Sequence, residues 1–463
     1  MDPYEIVKAN FQLPFELYPF QQDTVNELGW LETIGLYLDT GCGKTATGTV
    51  IALLKKFEHG NVTLCIMPPI LIKTWARWLK KIPGITVVEY YGSIKERKQI
   101  VLRGDFILVS MQVFKNDFDR IFRELHGRAL TVLVDEATSV KNIGSDNHKK
   151  VFQMQQGHSL LLLTGTPLST PIDGYAYCKL VAPGIYRNKQ QFENIHVVER
   201  DFFKKPTEWG NLELLAKNMK VNAVRLLKGD VLKDLPPITY TPIFYELESD
   251  HHRLYTRLAE EQVLKLESGG KIDATQTTAL YHALQQIVMN YGYFSGDPSK
   301  RPAGYDVIDQ VTEELDGKKL IIFASYRMTN AGLLTYLQKS GAVAVYGDIP
   351  EKQKMRNIDR FIDDPTCTRL IAQPTSAGYG VDGLQHVCCD ALFMEEPVVP
   401  MHFHQACARL HRDGQKENTN VRIAVAERTL QVRLHGQLLE NDALINRVIA
   451  GPKDLRDAIF GKN

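Results

Sequence analysis

Short apolar runs alternate with longer helix-prone stretches along most of this chain, and the alternation occurs twice. The β-prone runs lie at 34–38, 62–67, 86–90, 106–110, 129–134 and 159–163, and again at 319–323, 342–346 and 369–372. Runs this short and this uniformly apolar, with helices between them, are typical of buried strands in a parallel sheet. The pattern therefore predicts an α/β fold with two parallel-sheet lobes in tandem.

Two adjacent prolines, Pro236 and Pro237, disfavour helix and indicate a boundary between the lobes. The helix-prone stretch from Ala279 to Asn290 is interpreted as a helical insertion of the second lobe. We predict an N-terminal lobe at 1–235, a connector with a helical insertion at 236–304, and a C-terminal lobe at 305–463.

The segment after the first apolar run has the chemistry of a phosphate-binding loop. Backbone N–H groups at a helix N-terminus bind phosphate oxygens, Lys44 can reach the β- and γ-phosphates, and the Thr45 hydroxyl can coordinate Mg²⁺. The strict pattern G-x-x-x-x-G-K-[ST] has Gly where this chain has Leu38, so a Gly-rich turn before a helix is the alternative. The candidate ATP-binding residues here are Asp39, Thr40, Gly41, Cys42, Gly43, Lys44 and Thr45.

Two carboxylates, Asp135 and Glu136, follow an apolar run about 90 residues after the phosphate loop. Burial of carboxylates is costly without a cation, so Asp135 is predicted to hold Mg²⁺, directly or through water. Glu136 is placed to orient or deprotonate the attacking water. A strand that simply ends in acidic turn residues is the alternative, and the upstream phosphate loop argues against it.

A third candidate for the nucleotide site is Gln21, in the first turn of a helix that Pro19 can open. Its side-chain amide can both donate to and accept from the edge of adenine. The alternative interpretation is that this glutamine is an ordinary surface residue.

The net charge of +1 excludes a nucleic-acid-binding protein that is basic over its whole surface. One segment nevertheless has an excess of basic residues. From Lys55 to Arg103 there are ten Lys or Arg and three acidic residues. Lys73, Trp75 and Arg77 are therefore candidate nucleic-acid contacts. The alternative is an amphipathic helix that buries its tryptophans.

The bulk composition also bears on the compartment. The sequence has no run of 18 apolar residues and no basic N-terminal segment before an apolar one, which predicts a cytoplasmic protein without a membrane span. The seven cysteines include no C-x-x-C pair, which fits a reduced compartment and argues against structural zinc.

The second lobe carries two further candidate elements. A Gly-rich loop with Ser376, Gly378 and Gly380 follows a strand and can approach a nucleic-acid phosphate, with a plain loop as the alternative. Arg409 and Arg412 lie three positions apart, so on a helix they share one face. Such a pair suits the negative charge of a γ-phosphoryl transition state, although a surface pair is the common reading.

Taken in order, these motifs resemble the SWI/SNF-related group of superfamily-two helicase-like ATPases, which are double-stranded-DNA translocases. The segment 405–415 matches the pattern Q-A-x-x-R-x-x-R-x-G-Q of that family at every fixed position. The other matching segments are 18–21, 39–45, 135–138, 141–142 with Ser145, and 164–167. The resemblance implies two RecA-like lobes, ATP with Mg²⁺, and an arginine finger formed by Arg409 and Arg412.

The chain departs from the family pattern at three places. Thr138 stands where His is usual, Asp382 stands where Asn is usual, and Val398-Val399 replaces a Trp-Asn pair. Because the two lobes occupy nearly the whole chain, we expect a minimal motor of the kind found in viral or prokaryotic settings.

The predicted function is a DNA-dependent ATPase that translocates as a monomer on double-stranded DNA and displaces or remodels what is bound there. One alternative is a helicase that separates or anneals strands of DNA or RNA. Another is a nucleotide-gated DNA-binding protein with negligible turnover. Glu136, Arg409 and Arg412 argue against this last alternative, because binding alone does not require them.

Overall fold

The computed structural model describes residues 2–69, 71–202, 204–268, 274–377, 383–397, 400–432 and 435–436. The chain divides into two units, one within Met1–Lys233 and one within Asp234–Glu440. Within the described part of the chain, no helix is both long enough and apolar enough to cross a bilayer.

The first unit is built on a parallel sheet to which seven of its described strands belong, in the order β3-β4-β2-β5-β6-β1-β9. The remaining two strands, β7 and β8, form a separate antiparallel hairpin. The bounds of all nine are β1 Thr33–Leu38, β2 Val62–Met67, β3 Val87–Tyr90, β4 Phe106–Ser110, β5 Leu130–Asp135, β6 Ser159–Leu163, β7 Val197–Arg200, β8 Pro206–Trp209 and β9 Ala223–Leu226.

Helices cover both faces of this sheet, because the central strands are apolar on both sides. Along β6, Leu160 and Leu162 pack into one core cluster, whereas Leu161 and Leu163 pack into the other. The helices are α1 Pro3–Asn10, α2 Pro19–Leu28, α3 Lys44–His59, α4 Leu71–Leu79, α5 Ile94–Gln99, α6 Met111–Asn116, α7 Phe118–Leu125, α8 Asp146–Met154, α9 Pro171–Val181, α10 Lys189–His196, α11 Leu212–Met219 and α12 Lys228–Val231. Pro19 opens α2, as predicted.

The second unit has its own parallel sheet of six described strands, in the order β10-β15-β14-β11-β13-β12. Its strands are β10 Ile238–Tyr245, β11 Leu320–Phe323, β12 Val343–Val345, β13 Arg369–Ala372, β14 Asp390–Phe393 and β15 Thr419–Ala426. Its helices are α13 Ser249–Ser268, α14 Ala274–Met289, α15 Tyr291–Ser295, α16 Gly304–Glu314, α17 Arg327–Tyr336, α18 Glu351–Asp363, α19 Pro374–Ala377 and α20 Pro400–Cys407.

The α/β class with two parallel sheets is as predicted, but the second sheet begins earlier in the chain than expected. β10 lies inside the segment predicted as a connector and pairs with β15 along its whole length. The pattern missed this edge strand because several of its side chains face solvent, so it lacks the continuous apolar signal of a buried strand.

Candidate nucleotide-binding site

The phosphate loop joins β1 to α3, and two of its glycines have backbone conformations that other residues rarely adopt. Gly41 has φ 93° and Gly43 has φ 75°, both in the left-handed region. Gly43 is also crowded, since a Cβ atom there would lie 2.1 Å from Nε2 of Gln21. The loop can therefore reach the start of α3 in this shape only with glycine at 43.

Gln21 is buried and holds the phosphate loop through its side-chain amide. Its Oε1 accepts a hydrogen bond from the backbone N–H of Tyr18 at 2.9 Å, and its Nε2 donates to the Cys42 carbonyl at 3.0 Å. These bonds tie the start of α2 to the loop. The amide has a second N–H that can donate to adenine. The adenine contact itself remains a prediction. Burial raises the pKa of the Cys42 thiol to about 11, so this loop cysteine is neutral.

Lys44 opens α3 and folds back over the loop that precedes it. Its Nζ donates to the carbonyl oxygens of Leu38 at 2.9 Å and Asp39 at 3.3 Å. An ammonium has three N–H groups, so a third remains for a phosphate oxygen. Burial lowers the pKa of Lys44, and the carboxylates of Glu136 and Asp135 oppose this shift by favouring the charged form.

Asp39, predicted as an ATP-binding residue, is engaged by the protein itself. Its Oδ1 pairs with the Arg225 guanidinium at 2.6 Å, and its Oδ2 accepts the backbone N–H of Lys228 at 2.9 Å. Arg225 also donates to the carbonyl oxygens of Tyr37 and Gly165. Its role in holding the loop was missed by sequence reasoning, since a lone arginine in a short strand gives no motif signal.

The acidic pair lies where β5 ends, and both oxygens of Asp135 accept hydrogen bonds. Oδ2 accepts from the indole N–H of Trp75 at 2.7 Å, and Oδ1 accepts from the backbone N–H of Glu136 at 2.9 Å. Burial raises the pKa of Asp135, and the Trp75 bond and the Lys44 charge oppose that rise. Glu136 has φ 51°, a left-handed conformation that is uncommon for a residue with a side chain and is enriched at functional sites.

Gly165, just beyond β6, brings the Thr164–Pro167 segment against the phosphate loop. A Cβ atom at this position would lie 2.9 Å from Oγ1 of Thr40 and 3.1 Å from Nζ of Lys44. In the sheet, β6 lies between β5 and β1. The ends of these three neighbouring strands thus place the acidic pair, Gly165 and the phosphate loop along one edge, where ligands bind in open parallel sheets.

The donor groups at this edge fit the predicted Mg²⁺. Thr45 in the first turn of α3 offers a hydroxyl, and Asp135 offers carboxylate oxygens. No cluster of three or more His, Cys, Asp or Glu side chains suited to a metal occurs among the described residues. Mg²⁺ at nucleotide sites takes one or two protein oxygens and completes its shell with phosphate oxygens and water, so a sparse oxygen set is the appropriate one.

The structure corrects the predicted geometry of Arg409 and Arg412. Helix α20 ends at Cys407, so neither arginine lies on it and they share no helical face. The chain continues in tight turns, and the side-chain amide of Gln415 donates to the Leu410 carbonyl at 3.2 Å. The same carbonyl accepts the backbone N–H of Arg412 at 3.2 Å, a bond across two residues that differs from the four-residue spacing of an α-helix. Both arginines are half-buried.

Of the predicted nucleic-acid contacts, Lys73 and Arg77 lie exposed on α4, whereas Trp75 on the same helix is 1% exposed. The structure therefore places Trp75 in the core, against the prediction that it contacts nucleic acid. Its hydrophobic surface packs inside the first unit, as in the amphipathic-helix alternative. Ser376 is part of α19, whereas Gly378 and Gly380 lie outside the described residues.

The sequence model of the SNF2-related domain matches residues 31–292, more than half of the 463-residue chain. The chain belongs to the SNF2-related family. The predicted family, the SWI/SNF-related group, is thereby confirmed. The matched range includes the phosphate loop, the acidic pair and the Thr164–Pro167 segment.

Among relatives of this SNF2-related chain, an uncharacterised ATP-dependent helicase of Mycoplasma genitalium is 25% identical over 86% of the chain and 38% of its own length. The human SWI/SNF-related matrix-associated actin-dependent regulator of chromatin subfamily A member 1 is 23% identical over 90% of the chain and 42% of its own length. The chain thus spans about two fifths of the length of these two relatives.

The fold of the SNF2-related chain is similar to the solved helicase domain of Hef from Pyrococcus furiosus. The TM-score is 0.53 at 16% identity, with 90% of this chain and 97% of that domain covered. This likeness supports the predicted class of fold, two RecA-like lobes in tandem.

Proposed function

We propose that this chain hydrolyses ATP with Mg²⁺ and uses the reaction to move along double-stranded DNA, displacing or remodelling what is bound there. The observation that carries the proposal is the edge of the first sheet. There the phosphate loop, Asp135 with Glu136, and Gly165 follow three neighbouring strands. Lys44 and the loop N–H groups bind the phosphates, and Glu136 orients the attacking water.

In this proposal the second unit completes the hydrolytic site with Arg409 and Arg412. A guanidinium beside the γ-phosphate stabilises the charge that develops as the bond to the leaving oxygen breaks. Because ATP would interact with both lobes, it would favour an arrangement in which they close, and hydrolysis would remove that preference. If both lobes hold DNA, each cycle shifts the grip along the duplex.

Support for DNA as the polymer comes from the family and from charge. Lys73 and Arg77 present cations on an exposed face of α4, where they can contact phosphates. The human relative is by its name a regulator of chromatin, the material in which DNA is packaged. We further propose that Ser376, Gly378 and Gly380 contact the DNA backbone and that the motor acts as a monomer inside the cell.

The proposal is tested by measuring ATP turnover with no polymer, with duplex DNA, with single-stranded DNA and with RNA, alongside triplex displacement and duplex unwinding. We expect strong stimulation by duplex DNA, with triplex displacement and no unwinding. Stimulation by single strands alone would replace this function with that of a strand-separating enzyme. Turnover that no polymer stimulates would favour the nucleotide-gated binding protein.

One feature favours strand separation as a second candidate function. The β7–β8 hairpin carries Phe202 in its connection, and this side chain is 94% exposed. Lys204 and Lys205 follow in the same exposed connection. An aromatic side chain on a hairpin can stack on a base or wedge between base pairs, and nearby lysines can hold the backbone.

If the hairpin separates strands, Phe202→Ala should lower unwinding by about 5- to 150-fold, since base stacking contributes roughly 1–3 kcal/mol. ATP turnover should be unchanged, because the hairpin lies outside the nucleotide site. Phe57→Ala, at an exposed phenylalanine on α3, is the matched control. Equal unwinding by both variants, or none by the unmodified protein, would rule out this second function.

A further inference from the structure

We propose that Trp75 is a positioning residue that orients the Asp135 carboxylate toward Mg²⁺, an inference that rests on the proposed nucleotide site. α4 follows β2, which pairs with β5 in the sheet, so the helix passes close to the end of the strand that carries Asp135. Trp75 is 1% exposed, and its indole N–H donates to Oδ2 at 2.7 Å.

This bond restricts the carboxylate in a way that the backbone cannot. The Glu136 N–H, which binds Oδ1, belongs to the next residue and leaves the far oxygen unrestrained. Trp75 holds that second oxygen, so the plane of the carboxylate and the direction of its remaining lone pairs are both defined. An indole N–H is a donor only, and it cannot compete for the cation or titrate.

The bond also keeps the carboxylate suited to a cation. A hydrogen bond to an ionised acceptor is stronger than one between neutral groups, so Trp75 favours the anionic form of a deeply buried side chain. Partners that orient a metal-binding side chain in this way typically change metal affinity by about 10–100-fold when they are removed.

The same helix provides a matched control in Trp78. It lies three positions further on, stacks on Phe15 at 4.5 Å between ring centroids, and does not contact Asp135 through its indole N–H. Replacing Trp78 by Phe removes the same atoms from α4 without removing a bond to the carboxylate.

The first experiment measures equilibrium binding of a fluorescent ADP analogue as Mg²⁺ is titrated. For Trp75→Phe we expect the Mg²⁺ midpoint to rise about 10–100-fold, with nucleotide binding without Mg²⁺ unchanged. Trp78→Phe should retain the midpoint of the unmodified protein. Equal midpoints for the two variants would overturn the positioning role. Failure of the unmodified protein to bind the nucleotide would contradict the proposed function itself.

A second measurement does not depend on the stability of Trp75→Phe. Trp78→Phe retains Trp75, so adding Mg²⁺ to its nucleotide complex should change the tryptophan emission. The reason is that Mg²⁺ offsets the negative charge of the carboxylate to which the Trp75 indole N–H is hydrogen-bonded. Trp75→Phe retains Trp78 and should show at most a small change. An emission change of the same size in both variants would contradict the inference, even if Trp75→Phe had a lower melting temperature.

Discussion

We expect Lys44→Ala to reduce ATP turnover by about 10²–10³-fold or more, in an assay of phosphate release with saturating duplex DNA. The ammonium of Lys44 is the cation of the phosphate loop, and its Nζ lies near both the loop carbonyls and the position of Gly165. Alanine removes this charge where phosphate charge must be neutralised. Binding of a fluorescent ATP analogue should weaken together with turnover.

The control for this variant is Lys95→Ala, at an exposed lysine on α5 away from the phosphate loop. It removes an equal charge and should leave both binding and turnover unchanged. Normal turnover by Lys44→Ala, with an unchanged melting temperature, would show that the loop after β1 is not the site of hydrolysis.

The second large effect is expected for Arg412→Ala, which should bind ATP normally and lose hydrolysis by about 10³-fold or more. An arginine finger acts mainly on the charge of the transition state, so its removal lowers the rate constant of the chemical step and spares ground-state affinity. Single-turnover hydrolysis and equilibrium ATP binding, measured on the same preparation, separate these two quantities.

Arg360→Ala is the matched variant, since Arg360 is an exposed arginine on α18 of the second unit and pairs with Asp364, just beyond the end of that helix. It should hydrolyse ATP at the normal rate. Hydrolysis that persists intact in Arg412→Ala refutes the finger assignment. Loss of ATP binding together with hydrolysis would assign Arg412 to nucleotide binding instead.

The strands of the two sheets were largely predictable, because a strand buried on both faces must be apolar at every position. All residues of β4 and β6, and all but the first residue of β2, are buried, so these strands appear in the sequence as nearly continuous apolar runs. β10 was not predicted as a strand, because it lies at the edge of its sheet and is partly exposed. Edge strands carry less of the pattern on which the prediction depends.

The candidate site was predictable where the chemistry is local in sequence. The glycines at 41 and 43, the Lys44-Thr45 pair and the acidic pair are each recognisable from neighbouring residues, and the structure brings them to one edge of the sheet. Contacts between distant segments were not predictable. The bonds of Gln21 to Cys42 and of Arg225 to Asp39 join residues that no local pattern relates.

Two predictions failed because a local rule was applied where tertiary contacts decide. The spacing of Arg409 and Arg412 implies a shared face only if the helix continues through both residues. Helix α20 ends before them, at Cys407, and the Gln415 side chain bonds to the Leu410 carbonyl beyond that end. The basic surroundings of Trp75 suggested an exposed aromatic side chain. Its burial depends on the sheet beneath α4, and its indole N–H meets a carboxylate from another strand.

The sequence by itself determined the strand-helix alternation, the two parallel sheets and the order of the phosphate-binding and acidic motifs, because hydrophobic period and loop chemistry are written in adjacent residues. Only the tertiary structure decided which side chains restrain the reactive groups. Those partners, Trp75 for Asp135 and Arg225 for Asp39, lie 60 and 186 residues away along the chain. Contacts over such separations arise when neighbouring strands pair, and no local physical rule specifies them in advance.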